Sequence, residues 1–212
     1  MSKVLDILAK SISVFFYPLF IPTYGMILFC RAYALHVRPL PTLWVVVALF
    51  GTVSLTCLIP LGAIVIRMAR GKVTNLQIDD PRERTMPYAY TCMGFGCWAY
   101  LMVAILHAPS FIGLVAVGAT IAIGLVSIIN RWWKISAHMT AMGGLFGGLM
   151  SYCLGVGGFP TWVTLCIWIG VVLAIMYARL YVNAHTPAQV CAGWLLGIVC
   201  TFTPYCIVSY GA

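Results

Sequence analysis

The 212-residue chain is 63% hydrophobic and only 8% charged, with a mean hydropathy of +1.03. Soluble domains carry about a quarter charged residues, so the composition excludes a soluble globular class and predicts an all-α, polytopic transmembrane bundle forming one domain over residues 1–212. Twelve basic against four acidic residues give a formal charge of +8, with much of it on short connections, where cations meet lipid head groups, and no Lys/Arg block points to nucleic acid.

The first stretch carries Lys3 and Lys10 ahead of an apolar run. It has no small-x-small cleavage pattern and continues past Pro18 and Pro22 to about Leu35, so it is expected to be a retained segment and not a cleaved signal. A span needs about 20 apolar residues. Seven stretches meet this expectation: 12–35, 43–66, 88–106, 111–129, 138–156, 160–179 and 188–209. The count falls to six if the proline-broken first segment does not cross. The nine cysteines fall in or beside apolar runs, form no CxxC pair and make no zinc-spaced cluster with histidine, which suits buried small hydrophobes.

The connections are short except for residues 67–87, which hold Asp79, Asp80 and Glu83, three of the four acids. A polar loop in so apolar a chain is a natural place for function. It follows the second span, Lys134–His138 follows the fourth, and Arg179–Gln189 follows the sixth. An even number of crossings separates each from the next, so all three are expected on one side of the membrane. Two of the clusters carry helix-start signals. Asp80-Pro81-Arg82-Glu83 and Thr186-Pro187-Ala188-Gln189 each place a capping residue before proline and an acid or amide at the third helical position. Ser136 is a further capping candidate. Helix starts offer N–H groups and a positive dipole end to a phosphate. Gly143, Gly144, Gly147 and Gly148 form two overlapping Gly-xxx-Gly pairs, expected to let a neighbouring helix approach closely.

A charge near a helix centre in a membrane costs about 3 kcal/mol, so Arg179, at the end of an apolar run, calls for a partner or an interfacial place. His185 lies six residues on, about 240° around a continuous helix. A break at Asn183–Pro187 lets the two side chains converge. His138 comes from another helix start. Two imidazoles suit a double displacement in which one attacks phosphorus and the other protonates the departing oxygen, while arginines and helix-start N–H groups hold the equatorial oxygens. His36 and His107 are read as satisfied interfacial residues without a role.

These clusters resemble the type 2 phosphatidic acid phosphatase family of membrane enzymes, whose pattern is Lys-x6-Arg-Pro, then Pro-Ser-Gly-His, then Ser-Arg-x5-His-x3-Asp. The third element is matched by Ala178-Arg179, His185 and Gln189, and the second by Ile135-Ser136-Ala137-His138. The first is loose: Gln77 and Arg84 have the spacing without the lysine, and Pro87 stands three residues after the arginine. The resemblance covers roughly residues 67–200. It implies His185 as the nucleophile forming a phosphohistidine, His138 as general acid, and Arg179, Ser136 and Arg84 as phosphate ligands with Arg82 as a substitute. Lys72 or Lys134 would take the missing lysine's part. Gln189 replaces the family aspartate: its carbonyl still accepts the imidazole N–H but brings no negative charge, and it also suits the capping box with Thr186.

The function implied is a lipid phosphatase that releases phosphate from a lipid mono- or diphosphate without metal or cofactor. The family's substrates include polyprenyl diphosphates, phosphatidic acid, phosphatidylglycerol phosphate and lipid A. A non-catalytic lipid-phosphate-binding relative is a second reading, favoured by Gln189. An intramembrane prenyltransferase is a third, suggested by Asn75, Asp79, Asp80, Glu83 and Arg84, but it needs two acidic clusters for magnesium and the chain has one. Counting Lys3, Lys10, Arg67, Arg70 and Lys72 against Arg31 and Arg38 puts the site in the cytoplasm by the positive-inside rule. The bacterial relatives place theirs outside, so the resemblance implies an extracytoplasmic site on a bacterial inner-membrane protein.

Overall fold

The computed structural model describes residues 3–74, 83, 85–155 and 161–210, and all regular structure among them is helical. The elements are α1 (Lys3–Phe15), α2 (Ile21–His36), α3 (Thr42–Thr52), α4 (Ile59–Ala69), α5 (Thr85–Tyr100), α6 (Ser110–Ile129), α7 (Ala137–Gly155), α8 (Thr161–Tyr181) and α9 (Pro187–Tyr210). A π-helical turn, Val53–Leu58, joins α3 to α4. The widened turn sits directly before Pro60, which has no N–H to donate to the preceding turn. A second π turn, Leu101–Ile105, extends α5.

Among the described residues, four helices are long and apolar enough to cross a membrane: Thr42–Ala69, Met86–Ile105, Ser110–Ile129 and Pro187–Ile207. Only 33 to 39% of their most apolar windows is buried inside the molecule. Leu43, Phe50, Met93, Tyr100, Ile121 and Val199 all point outward. A protein in water would not leave so continuous an apolar surface uncovered. Lipid is the solvent that tolerates it, and the chain is a multi-pass membrane protein.

The first stretch departs from the expectation of one segment at 12–35. The chain stops at Phe15, turns through Tyr17–Phe20, and restarts at Ile21 with Pro22 in the first helical turn. Pro18 and Pro22 are the physical reason, since neither supplies a helical N–H and proline fits only the opening turn. Helix α1 packs on α8.

Helix α7 is the centre of the bundle, with most of its residues buried. It packs most extensively on α9 and also touches α2, α6 and α8. The expected glycine surface produces this packing. A Cβ on Gly143 would strike the Trp194 carbonyl, one on Gly197 would strike the Thr140 carbonyl, and one on Gly193 would lie 2.6 Å from the Ser136 oxygen. Thr201 Oγ donates across the same interface to the Gly144 carbonyl at 3.0 Å. The backbones of α7 and α9 are therefore in direct contact, and the starts of both helices are held side by side.

Candidate functional site

The stop of α8 sets the site's geometry. Asn183 takes a left-handed conformation with φ 52°. The Ala184 N–H donates to the Arg179 carbonyl at 3.1 Å, and the Asn183 N–H donates to the Leu180 carbonyl at 3.0 Å. This pair of bonds is the Schellman ending of a helix, and asparagine is the residue that accepts the left-handed position most readily after glycine. The break expected at Asn183–Pro187 thus has a defined cause. It turns the chain back on itself, and Arg179 and His185, which would diverge on one helix, come within electrostatic reach of each other.

Helix α9 then begins with the expected capping box. Thr186 Oγ1 accepts the Gln189 N–H at 3.4 Å, and Gln189 Oε1 accepts the Thr186 N–H at 3.1 Å. The second bond fixes which end of the Gln189 amide faces His185. His185 Nδ1 lies 3.3 Å from Gln189 Oε1 and 3.2 Å from the Lys134 carbonyl. Both neighbours only accept, so Nδ1 carries the proton and donates to them. The lone pair of the neutral ring is then on Nε2. Burial, Arg179 and Lys134 together push the His185 pKa down to about 4, against the opposing pull of its two acceptors. At neutral pH the ring is uncharged, with its lone pair on Nε2.

The α6–α7 connection closes the other side. The Ser136 N–H donates to the Gln189 carbonyl at 3.3 Å, joining the start of α7 to the first turn of α9. Ser136 does not cap α7 with its side chain, contrary to expectation. Its carbonyl takes the Thr140 N–H and Thr140 Oγ1, while its Oγ is fully buried and has no hydrogen-bond partner among the described residues. A buried hydroxyl left so costs about 1–3 kcal/mol.

His138, 8% exposed, lies in the first turn of α7. Its Nε2–H donates to the Ser13 carbonyl of α1 at 3.0 Å, and its ring meets Tyr17 edge-on at 5.7 Å. Nδ1 is the nitrogen left for proton transfer. The charges of Arg179 and His185 both act on His138, which puts the three side chains in one cluster. Arg179 is 6% exposed. Asn130, at the end of α6, reaches Tyr88 near the start of α5 at 3.5 Å, bringing α5 to the same end of the bundle.

His185, His138, Gln189, Arg179 and Ser136 are therefore brought together. Arg82 and Arg84 lie outside the described residues, as do Gln77, Asp79 and Asp80. Glu83 accepts from the Thr74 N–H and hydroxyl at 2.8 and 3.1 Å. Of the two lysines considered for the missing position, Lys134 acts on His185 through both its charge and its carbonyl, whereas Lys72 is exposed. Ser13 and Tyr17 carry no sequence signal for a site. The only hint of them is the proline break that folds their segment over α7.

No family model, curated protein or solved structure matches this chain.

Proposed function

We propose that this protein is an integral membrane phosphatase acting on a lipid mono- or diphosphate through a phosphohistidine, as its resemblance to the type 2 phosphatidic acid phosphatases implies. The observation that carries the reading is the fixed tautomer of His185: two acceptors hold Nδ1–H, and a neutral Nε2 sits in a cationic, largely buried cluster. Nε2 attacks phosphorus and the bond to the lipid oxygen breaks. The substrate supplies the proton as its phosphate monoanion: His138 Nδ1 takes it, with Nε2–H kept on the Ser13 carbonyl, and passes it to that oxygen as it leaves. Water then attacks the phosphohistidine, His138 takes a proton from it, and the N–P electron pair returns to Nε2 as inorganic phosphate departs. Arg179 and the Ser136 hydroxyl hold the equatorial oxygens, with Arg84 or Arg82 from the 67–87 loop completing the grip.

In this reading α2, the continuous α3–α4 rod and α5 to α9 make seven crossings, with α1 at the site end. The site faces the extracytoplasmic side of a bacterial inner membrane. Thiol labelling of a cysteine introduced into the 67–87 loop of intact cells tests the orientation. Gln189 favours one other reading, a binding protein that holds lipid phosphates without turnover, because a neutral orienter does not stabilise the imidazolium. Phosphate release from a panel of lipid phosphates, with chelator present, decides between them. Release that persists in chelator and is lost in His185→Ala supports the enzyme. No release from any lipid sinks it.

A further inference from the structure

An apolar cavity runs between α2, α5, α6 and α7, with Thr201 of α9 on its wall. Its lining is almost wholly hydrocarbon and aromatic, with Met26, Phe29, Phe95 and Trp98 among the larger side chains. Voids larger than a water molecule are few in a packed protein, and this one lies in a bundle whose central helices touch backbone to backbone. It begins beside the candidate site. Ala137 and Thr140 line it and flank His138 in the opening turn of α7, and Pro18 lines it next to Tyr17, whose ring meets His138. On α6 the lining extends from Val126 to Ile112, about 21 Å of helix at 1.5 Å per residue. A leaflet's hydrocarbon is about 15 Å deep, half of a core about 30 Å thick.

We infer that this cavity is the binding site for one hydrocarbon chain of the lipid whose phosphate His185 engages. The inference rests on the phosphatase reading for the identity of the head group and on the cavity alone for the tail. The lining along α6 reaches past the depth of one leaflet's hydrocarbon, which suits one extended chain laid along it. Any second chain of the substrate stays in the bilayer. The walls carry no charged residue, so the cavity reads chain length and shape and leaves the head group to Arg179 and Ser136.

The test uses hydrolysis-resistant n-alkyl phosphonates of increasing length, kept below their micelle concentration, with the purified full chain. Affinity is expected to rise about fourfold per methylene, the equivalent of about 0.8 kcal/mol, and then to level off when the cavity is full. Ala119→Leu combined with Ala122→Leu narrows the cavity at mid-depth and should bring the plateau to a shorter chain. Affinity that is flat with length, or a plateau unmoved in a variant with unchanged thermal unfolding, overturns the proposal. Should the double variant fail to fold, a phosphonate with a terminal diazirine serves instead on the wild type. Labelling of Trp98 or Ile112 supports the cavity, and labelling confined to the outward-facing Ile121 and Val117 overturns it. Phosphonate binding needs no turnover, so length-dependent binding without phosphate release sinks the enzyme reading and leaves the tail site standing. Release without length dependence does the reverse.

Discussion

Replacing Gln189 by glutamate changes one amide nitrogen to oxygen and leaves the capping box intact, since glutamate is the commoner partner at that position. What changes is charge. A carboxylate oxygen where Oε1 now stands would lie 3.3 Å from His185 Nδ1. Coulomb's law gives about 5 kcal/mol at an effective dielectric of 20 and about 1.3 kcal/mol at that of water. At 1.36 kcal/mol per pH unit, the His185 pKa should rise by between about one and about four units from its position near 4. Gln189 is half-buried, which places the outcome between these limits. Two measurements follow: titration of the labelled imidazole by NMR, and the acid limb of kcat/KM for phosphate release, which should move upward with it. An imidazole that still titrates near 4 in Gln189→Glu would refute the geometry, because no carboxylate at hydrogen-bond distance can be silent. A raised pKa with unchanged turnover would show that the glutamine suffices as orienter.

Asn183→Val should cost about 1–2 kcal/mol in thermal or denaturant unfolding, because a β-branched residue is forced into the left-handed region at the end of α8, while Asn183→Gly should be nearly neutral. Gly143→Leu should destabilise by about 3 kcal/mol or more, or prevent folding, since its new side chain meets the Trp194 backbone carbonyl, which cannot rotate away. Stability should also depend on pH through His185. Its folded pKa of about 4 is below the ordinary 6.5, so the unfolded chain binds the proton more tightly. The stabilising contribution is complete above about pH 6.5 and is lost as pH falls towards 4. Unfolding midpoints at pH 7 and pH 5 should therefore differ more for the wild type than for His185→Gln. His185→Ala should abolish phosphate release, while the α8 ending, built from backbone bonds of residues 179–184, should persist in its circular dichroism and unfolding midpoint.

The helices were legible in the chain because each is specified locally. The apolar runs expected at 43–66, 111–129, 138–156 and 188–209 correspond to Thr42–Ala69, Ser110–Ile129, Ala137–Gly155 and Pro187–Tyr210, with ends marked by proline, threonine and asparagine chemistry confined to four or five residues. The capping box at Thr186–Gln189 and the glycine surface of α7 are of the same kind. The first segment was less legible, because its apolar run is continuous and only Pro18 and Pro22 divide it.

The site was legible as a set of residue types but not as an arrangement. His185 donates to a carbonyl 51 residues away, and His138 to one 125 residues away. Backbone carbonyls are present at every position and leave no mark in a sequence. Which nitrogen of each histidine carries its proton, and that Ser13, Tyr17 and Lys134 surround them, follows only from the packing of α1, α7, α8 and α9. Sequence by itself determined a greasy helical chain with two histidines at helix starts and an arginine at a helix end. The tertiary structure decided which atoms those side chains present, because the partners that hold them come from distant turns of the chain.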